Sequence, residues 1–387
     1  MRVIFARQPF PASFTKSIFL AGPTPRTPDV TSWRREALHA LEAMQYDGVV
    51  YVPEDEAWTT FDDDQYLQQV DWEQDAMRRS DVIVFWVPRD LTTLPGFSTN
   101  VEFGLWAQSG KVLFGGPDAE TPKNRYLETL AAPERFGIPV FRTIDDVLRS
   151  ALERLGDGAL RTDGECCVPL LIWQSPTFQQ WYAQQRHAGN VLLDARMDWV
   201  HLRRNEAVLW ALRVTIHIAA EDRNKREVVI GRPPTVHAVL YRRNRTPEKT
   251  VVVLARESRP AAATRDGYEW GLPGGTVDSG SFQALEEEAS REVEEETGLR
   301  IAATRFRRIG VRQAMSTLSA HLGGCVAAEI TAEELAWIRS QQGIAHGLEE
   351  HTERTFPEMR TLAEIEGDDL VDWSTLGMIS AALNHDR

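Results

Sequence analysis

The chain has little cysteine: Cys166, Cys167 and Cys325 are the only three in 387 residues. Two of them are adjacent, without the two-residue gap of a zinc site, and three are too few for a disulfide framework. A reducing, cytoplasmic setting is therefore expected. Positive charge is short as well, with 43 Lys and Arg against 57 Asp and Glu, a net charge of -14 and a pI near 5.2. That balance argues against a nucleic-acid backbone or an anionic membrane as the main partner, while a metal ion or a small basic pocket still permits nucleotides. Long apolar runs are missing. Val82 to Val87 is strand-sized, well below the roughly 20 residues of a membrane span, and Met1 to Phe10 lacks the apolar core of a secretory leader. The C-terminal half has no repeat and no low-complexity tract. What is present is 42% hydrophobic and 26% charged, a normal globular balance, at a length that predicts two or three domains.

From about Ser17 to Leu155, short apolar runs alternate with helical patterns. Ser17 to Ala21, Val49 to Val52, Asp81 to Val87, Lys111 to Phe114 and Pro139 to Phe141 read as strands. Trp33, Ala37, Leu38, Leu41 and Met44 recur at helical spacing in the first gap. Strands alternating with helices and connected right-handedly give an α/β fold, a doubly wound parallel sheet of the flavodoxin-like kind. Ligands of such sheets sit beyond the carboxyl ends of the strands, which directs attention to Gly22-Pro23, Pro53-Glu54, Pro88-Arg89-Asp90 and Gly115-Gly116. The chain then turns polar and glycine-rich, at Gly156, Gly158 and Gly164. The expected division is a domain at 1–155, a linker at 156–165 and a second, α+β domain at 166–387. In the second part Pro169 to Trp173, Ala211 to Ala219, Thr235 to Tyr241 and Thr250 to Leu254 read as strands. An acidic helix is expected from about Phe282 to Thr297.

That helix places Glu292, Glu295 and Glu296 at i, i+3 and i+4, so their carboxylates share one face. Leu285, Ala289 and Val293 recur every four residues and anchor another face. Crowded carboxylates repel unless a cation sits among them, and all-oxygen ligation suits magnesium. Gly274-Gly275 precedes the helix and Gly298 ends it as a C-cap would.

This arrangement resembles the Nudix box, in which a glycine and a spacer lead into R-E-U-x-E-E-x-G-U with U apolar. Arg291, Glu292, Val293, Glu295, Glu296, Gly298 and Leu299 match its second half. The resemblance implies the Nudix α+β fold, with magnesium or manganese held by Glu292, Glu295 and Glu296 beside the Gly275 carbonyl. Glu296 also belongs to the catalytic set, and Arg291 fixes the helix. The first half departs from the pattern: Gln283 stands where the family glutamate is expected, or Ser281 when counted from Gly275, and the spacer is two residues longer. Leu254 to Arg259 and Glu269 to Gly275 are similar to the ADP-sugar pyrophosphatase branch. That branch implies a late acidic loop with a catalytic glutamate, for which Glu350 and Glu353 compete and Glu353 is preferred. It also implies a hairpin over Val214 to Ile230 that pairs with a second subunit, hence a homodimer or higher homo-oligomer. The proline typical of ADP-ribose enzymes is absent, since none occurs between Pro273 and Pro357. The resemblance covers about Cys166 to Leu383.

In the first half, Thr99 to Gly104 follows the third expected strand, which places Glu102 in the first turn of a helix, where the dipole favours an ionised carboxylate. Such a group can attack an anomeric carbon and pass on the sugar. Phe19 to Pro23, Asp71-Trp72-Glu73, Ser80-Asp81 and Asn100 to Gly104 occur in the order of the nucleoside 2-deoxyribosyltransferases and their nucleotide-hydrolase relatives, over about Ser17 to Leu148. That resemblance implies that Glu102 is the nucleophile and that Glu73, where the family has Asp, handles the base. Gly22, Arg89, Asp90 and Asn100 join them as substrate-binding candidates. Asp81, at the opposite end of the sheet, reads as structural, and Trp33, Trp72, Trp86 and Trp106 as core.

Together these readings predict a bifunctional enzyme of nucleotide metabolism whose partners are nucleosides and nucleotides. One half hydrolyses a nucleoside diphosphate derivative, ADP-ribose-like or ADP-sugar-like, and the other cleaves or exchanges an N-glycosidic bond. Two alternatives stay open: a nucleotide sensor with a non-catalytic Nudix domain, or a Nudix hydrolase whose first domain only binds or dimerises.

Overall fold

The computed structural model describes residues 1–55, 63–117, 123–277, 282–347, 354–367 and 370–384. They form two compact units, Met1–Gly231 and Arg232–Arg387. The first unit opens with the strands β1 Arg2–Phe5, β2 Ser13–Phe14, β3 Ser17–Ala21, β4 Val49–Val52, β5 Val82–Trp86, β6 Val112–Gly115 and β7 Val140–Phe141. All but β2 pair in parallel, in the order β1-β4-β3-β5-β6-β7. All five expected strands are there, and the α/β, doubly wound reading holds. β1 is an unexpected edge strand; four residues opening on Arg2 carry no pattern, and only the pairing of Arg2 to Phe5 with Val49 to Val52 makes them one.

Helices α1 Trp33–Ala43, α2 Asp63–Arg79, α3 Phe97–Trp106 and α4 Arg125–Ala131 fill the strand-to-strand connections, and α5 Ile144–Leu155 follows β7. Side chains of Ser32 and Thr143 accept the backbone N–H groups that start α1 and α5. β3 to β6 are buried at every residue, as strands covered on both faces must be. Phe19, Ala21, Tyr51, Ile83 and Phe85 pack with Trp72, Ala76 and Met77 of α2, Phe103 of α3 and Ala107 at its end. Trp33, Trp72 and Trp86 are buried, and Trp106 packs on the same core.

The stretch 156–165 lies inside the first unit rather than forming an exposed linker. β8 Arg161–Thr162 pairs antiparallel with β2, and Gly156 and Gly158 turn the chain with φ of 52° and 74°. Arg161 is the reason the segment stays. Its Nη1 and Nη2 donate to the two oxygens of Asp81, each at 2.7 Å, with both side chains out of solvent. Asp81 also accepts from Ser17 N, Ser17 Oγ and Leu170 N, so the structural reading of this residue holds. Removing one partner of such a pair leaves a bare buried charge and costs about 3–5 kcal/mol. Asp81→Ala and Arg161→Met are therefore expected to lose that much in urea unfolding, and the double variant to lose less than the sum. A single-variant loss below about 1 kcal/mol, the range of exposed pairs, would contradict this assignment.

Pro169 to Trp173, expected as a strand, is instead the short helix α6 Leu170–Trp173, followed by α7 Pro176–His187. A four-residue apolar run does not distinguish the two; the Asp81 carboxylate on Leu170 N holds this one. The unit ends in an antiparallel sheet of β9 Val191–Arg203, β10 Glu206–Ile218 and β11 Arg223–Gly231, in the order β11-β10-β9. The expected hairpin over Val214 to Ile230 is the β10–β11 pair, with Val214 opposite Glu227.

The second unit is a mixed sheet of β12 Thr235–Arg242, β13 Val251–Ser258, β14 Tyr268–Gly271, β15 Gly274–Thr276, β16 Arg307–Gln313, β17 Leu322–Glu329 and β18 Thr355–Thr361. The main path is β14-β13-β12-β17-β16, with β15 on β12 and β18 on β13. Its helices are α8 Leu285–Thr297, α9 Ala332–Gln341, α10 Leu362–Gly367 and α11 Trp373–Asn384. Alternation along β12 sends Val236, Ala238 and Leu240 to Leu285, Ala289 and Val293 of α8. Val239 and Tyr241 go to the other face, with Ile379 and Ala382 of α11. Among the described residues no helix is long and apolar enough to cross a membrane.

Candidate functional site

In the first unit the chain leaves β3 through Gly22, whose φ is 151° and where a Cβ would overlap the Trp86 carbonyl oxygen. Only glycine fits there. Arg34 of α1, buried, reaches back to this turn. Its Nε donates to Leu20 O at 2.9 Å, Nη2 to Gly22 O at 2.7 Å and Nη1 to Glu54 Oε1 at 2.5 Å. Glu54, just past β4, also accepts from Ser32 Oγ. Gln69 of α2 donates to Glu73 Oε1 at 2.6 Å. The strand-end rule points to Pro53-Glu54, but neither Arg34 nor Gln69 is singled out by the sequence. Arg34 looks like any other charge in Trp33-Arg34-Arg35, and its burial arises only when α1 folds against β3.

Glu102 is the sixth residue of α3, in its second turn and not the first as expected from sequence. The helix starts at Phe97, directly after Gly96 in the left-handed conformation that favours glycine. The dipole fades within the first turn, so another effect decides. Burial pushes the Glu102 carboxyl up to about 7, the Glu73 carboxylate pushes the same way, and Arg34 opposes both. Burial also raises Glu73, against the Gln69 hydrogen bond and Arg34. At Glu102 burial therefore outweighs the helix-start effect that was expected to favour the ionised carboxylate. Gly22, Glu73 and Glu102 share Arg34 as their common neighbour.

Arg89, Asp90 and Asn100 meet each other's loop instead. Buried Arg89 donates to Pro95 O at 2.7 Å, Asn124 Oδ1 at 3.1 Å and Asn100 Oδ1 at 2.5 Å. Asp90 Oδ1 accepts from the N–H groups of Thr92 and Thr93 and from Thr93 Oγ1, which holds its carboxyl below the usual range. These bonds set the loop that precedes α3.

In the second unit α8 carries the three glutamates, and Gly298 ends it with φ 67° as the sequence suggests. Glu296 Oε2 accepts from Gly274 N at 3.0 Å. A Cβ at Gly275 would overlap the Glu292 carboxylate, so the strand can approach only as glycine. Glu292 is 8% exposed. Burial pushes its carboxyl up to about 7; Arg291 pulls it down and Glu295 adds to the rise. Arg291 donates to Glu292 Oε1 at 2.5 Å, Glu288 Oε2 at 3.0 Å and Glu295 Oε2 at 3.3 Å. Gly275, Glu292, Glu295 and Glu296 are therefore gathered around β15 and α8. Among the described residues no three His, Cys, Asp or Glu side chains form a metal-holding group; Arg291 bridges the carboxylates in their present arrangement.

Gln283 lies just before α8, while Ser281, Glu350 and Glu353 fall outside the described residues. Flanking the last two, His346 and Thr355 exchange both backbone hydrogen bonds, and Thr355 Oγ1 donates to Glu296 O at 3.4 Å.

A nucleoside 2-deoxyribosyltransferase-like model matches residues 15–119, and a NUDIX domain model matches residues 231–318. No curated protein matches the chain. Solved structures similar to it include an ADP compounds hydrolase, 18% identical over 50% of this chain and 90% of that one, with a TM-score of 0.33. Another is the NUDIX domain of Shewanella oneidensis NrtR complexed with ADP ribose, 19% identical over 40% and 88%, with a TM-score of 0.28. The chain carries a nucleoside 2-deoxyribosyltransferase-like domain followed by a NUDIX domain.

Proposed function

We propose a bifunctional enzyme of nucleotide metabolism. Its NUDIX domain hydrolyses a nucleoside diphosphate derivative, ADP-ribose-like or ADP-sugar-like, and its N-terminal domain cleaves or exchanges an N-glycosidic bond. The observation that carries the first activity is the close approach of Gly274-Gly275 to the glutamates of α8. Glu292, Glu295, Glu296 and the Gly275 carbonyl offer hard oxygen donors on one small surface, which fits magnesium or manganese. When bound, such a cation polarises the diphosphate and activates water. Within the chain, Gly274 N–H orients Glu296 through one oxygen, and Arg291 restrains Glu292 and Glu295. Glu353 is the proposed base, carried by the segment whose flanks are tied beside Glu296.

In the N-terminal domain Glu102 is the proposed nucleophile. Its carboxylate oxygen bonds to the anomeric carbon as the carbon–nitrogen bond to the base breaks, giving a sugar ester that water or a second base resolves. Glu73 meets the leaving base, and Gly22 admits the sugar close to the backbone. Arg89, Asp90 and Asn100 hold the loop above. Apolar side chains left exposed on the three-stranded sheet, among them Val191, Leu193, Trp199, Leu209 and Val228, support a homo-oligomer.

The test incubates the protein with nucleosides, nucleotides and nucleoside diphosphate sugars, with magnesium or with a chelator. Phosphate-ended products are expected only with magnesium, and free base in both conditions. Tight nucleotide binding without turnover would favour the sensor, and absence of free base from every substrate would leave the first domain a binding module.

A further inference from the structure

The first unit has a half-open cavity of about 480 Å³ at the end of the sheet opposite Gly22 and Glu54, with Gln108, Arg135, His201 and Asn205 exposed at its rim. Gly110 and Val112, where β6 begins, and Pro139, where β7 begins, line it. The turn joining β9 to β10 closes one wall. That wall is tightly seated: Gly110 has φ 71°, and a Cβ there would stand 2.8 Å from Leu202 Cδ1.

The lining is basic. Arg135, Arg154 and His201 line it together with Gln108, Asn205 and Phe136, and among the described residues no Asp or Glu does, in a chain of net charge -14. Glu134, Glu153 and Glu206 adjoin these residues in sequence but not in the lining. Arg154 Nη1 donates to Gly110 O at 3.2 Å and Val112 O at 3.4 Å. Those carbonyls orient the guanidinium without neutralising it, and among the described residues no carboxylate pairs with Arg135 or Arg154. Burial draws the Arg154 guanidinium below its ordinary value, the response of a cation that lacks a counter-charge.

We infer that this cavity is a second small-molecule site of the first unit, taking a phosphate monoester whose phosphate is held by Arg135 and Arg154. The volume falls within the roughly 300–1,000 Å³ of small-ligand pockets. Two guanidinium groups present paired N–H donors suited to phosphate oxygens. Gln108 and Asn205 supply neutral hydrogen bonds, and Phe136 an apolar surface for the rest of the ester. Ala107 and Gln108, also in the lining, directly follow the helix that carries Glu102. Binding here depends on neither proposed reaction.

The test is titration of the full chain with AMP, ribose 5-phosphate, inorganic phosphate and uncharged adenosine, following the His201 imidazole signal by NMR, assigned through His201→Gln. Both esters are expected to move that signal saturably, and adenosine to leave it unmoved. Arg135 is exposed and outside any helix, so Arg135→Glu is expected to fold normally and to weaken ester binding by at least about tenfold, ~1.4 kcal/mol. Arg154→Met is expected to act in the same direction. An unmoved His201 signal with both esters, or equal affinity in Arg135→Glu, overturns the proposal. An equal response to adenosine overturns it as well, by removing the phosphate from recognition. The proposed catalytic activities play no part in any of these outcomes.

Discussion

Base release is expected to vanish in Glu102→Ala while magnesium-dependent hydrolysis of the diphosphate bond continues at the wild-type rate. The two sites use unrelated chemistry, one a carboxylate nucleophile and the other a cation held by glutamates. In the wild type the rate of base release should climb with pH around a midpoint near 7, because the attacking form is the ionised one and burial holds Glu102 to about 7. Glu73→Gln should move that midpoint down, since the Glu73 charge contributes to the rise. Stability follows the same linkage. A carboxyl of ordinary value in the unfolded chain and about 7 in the folded one binds more protons when folded between those values. Its contribution is therefore fully present below the unfolded value and lost as pH rises through about 7. Glu102→Ala removes that loss, so its melting temperature above pH 7 should match or exceed the wild type. Wild-type base release by Glu102→Ala, or a midpoint unaffected by Glu73→Gln, would remove Glu102 from the nucleophile's role.

Diphosphate hydrolysis is expected to fall by orders of magnitude in Glu295→Gln and in Glu296→Gln, with base release unchanged. Glutamine preserves shape and, at 296, an oxygen for Gly274 N–H, but it removes a charged donor from the proposed cation site. Chelation should give the same pattern. The Glu295 pair with Arg291 is partly exposed, and such pairs contribute about 0–1 kcal/mol, so Glu295→Gln should stay folded, which urea unfolding of both variants checks. Magnesium affinity should strengthen as pH rises through about 7, where Glu292 ionises, with protons released on binding below that point. Calorimetry in buffers of different ionisation enthalpy measures that release. Near wild-type turnover in either variant at saturating magnesium, or affinity independent of pH, would place the cation elsewhere.

Much of this architecture was legible because it rests on local periodicity. The apolar runs of β3 to β7, the fourfold spacing of Leu285, Ala289 and Val293, and the i, i+3, i+4 glutamates are statements about one element at a time. The flanking glycines are equally local, since Gly298 must adopt a left-handed conformation and Gly275 must admit a neighbouring carboxylate. Segments without periodicity were not legible. Arg2 to Phe5 became a strand only through β4, and Pro169 to Trp173 became a helix where a strand was expected.

Buried charge was the other hidden quantity. Nothing in the sequence distinguishes Arg34, Lys111 and Arg161 from solvated cations. Folding gives Lys111 the carbonyls of Met77, Arg78 and Ser80, gives Arg161 the Asp81 carboxylate, and gives Arg34 the turn at Gly22. The sequence by itself determined the alternating elements, the acidic helix face and the two family resemblances, because each depends on residue type and spacing along one segment. The tertiary structure alone decided that 156–165 is stitched to Asp81 and that Glu102 sits in a second helical turn beside Glu73. It alone decided that Glu102 titrates near 7 and that two arginines and a histidine meet in one cavity. Those outcomes depend on desolvation and on charges brought together from distant segments, and both exist only once the chain has closed around them.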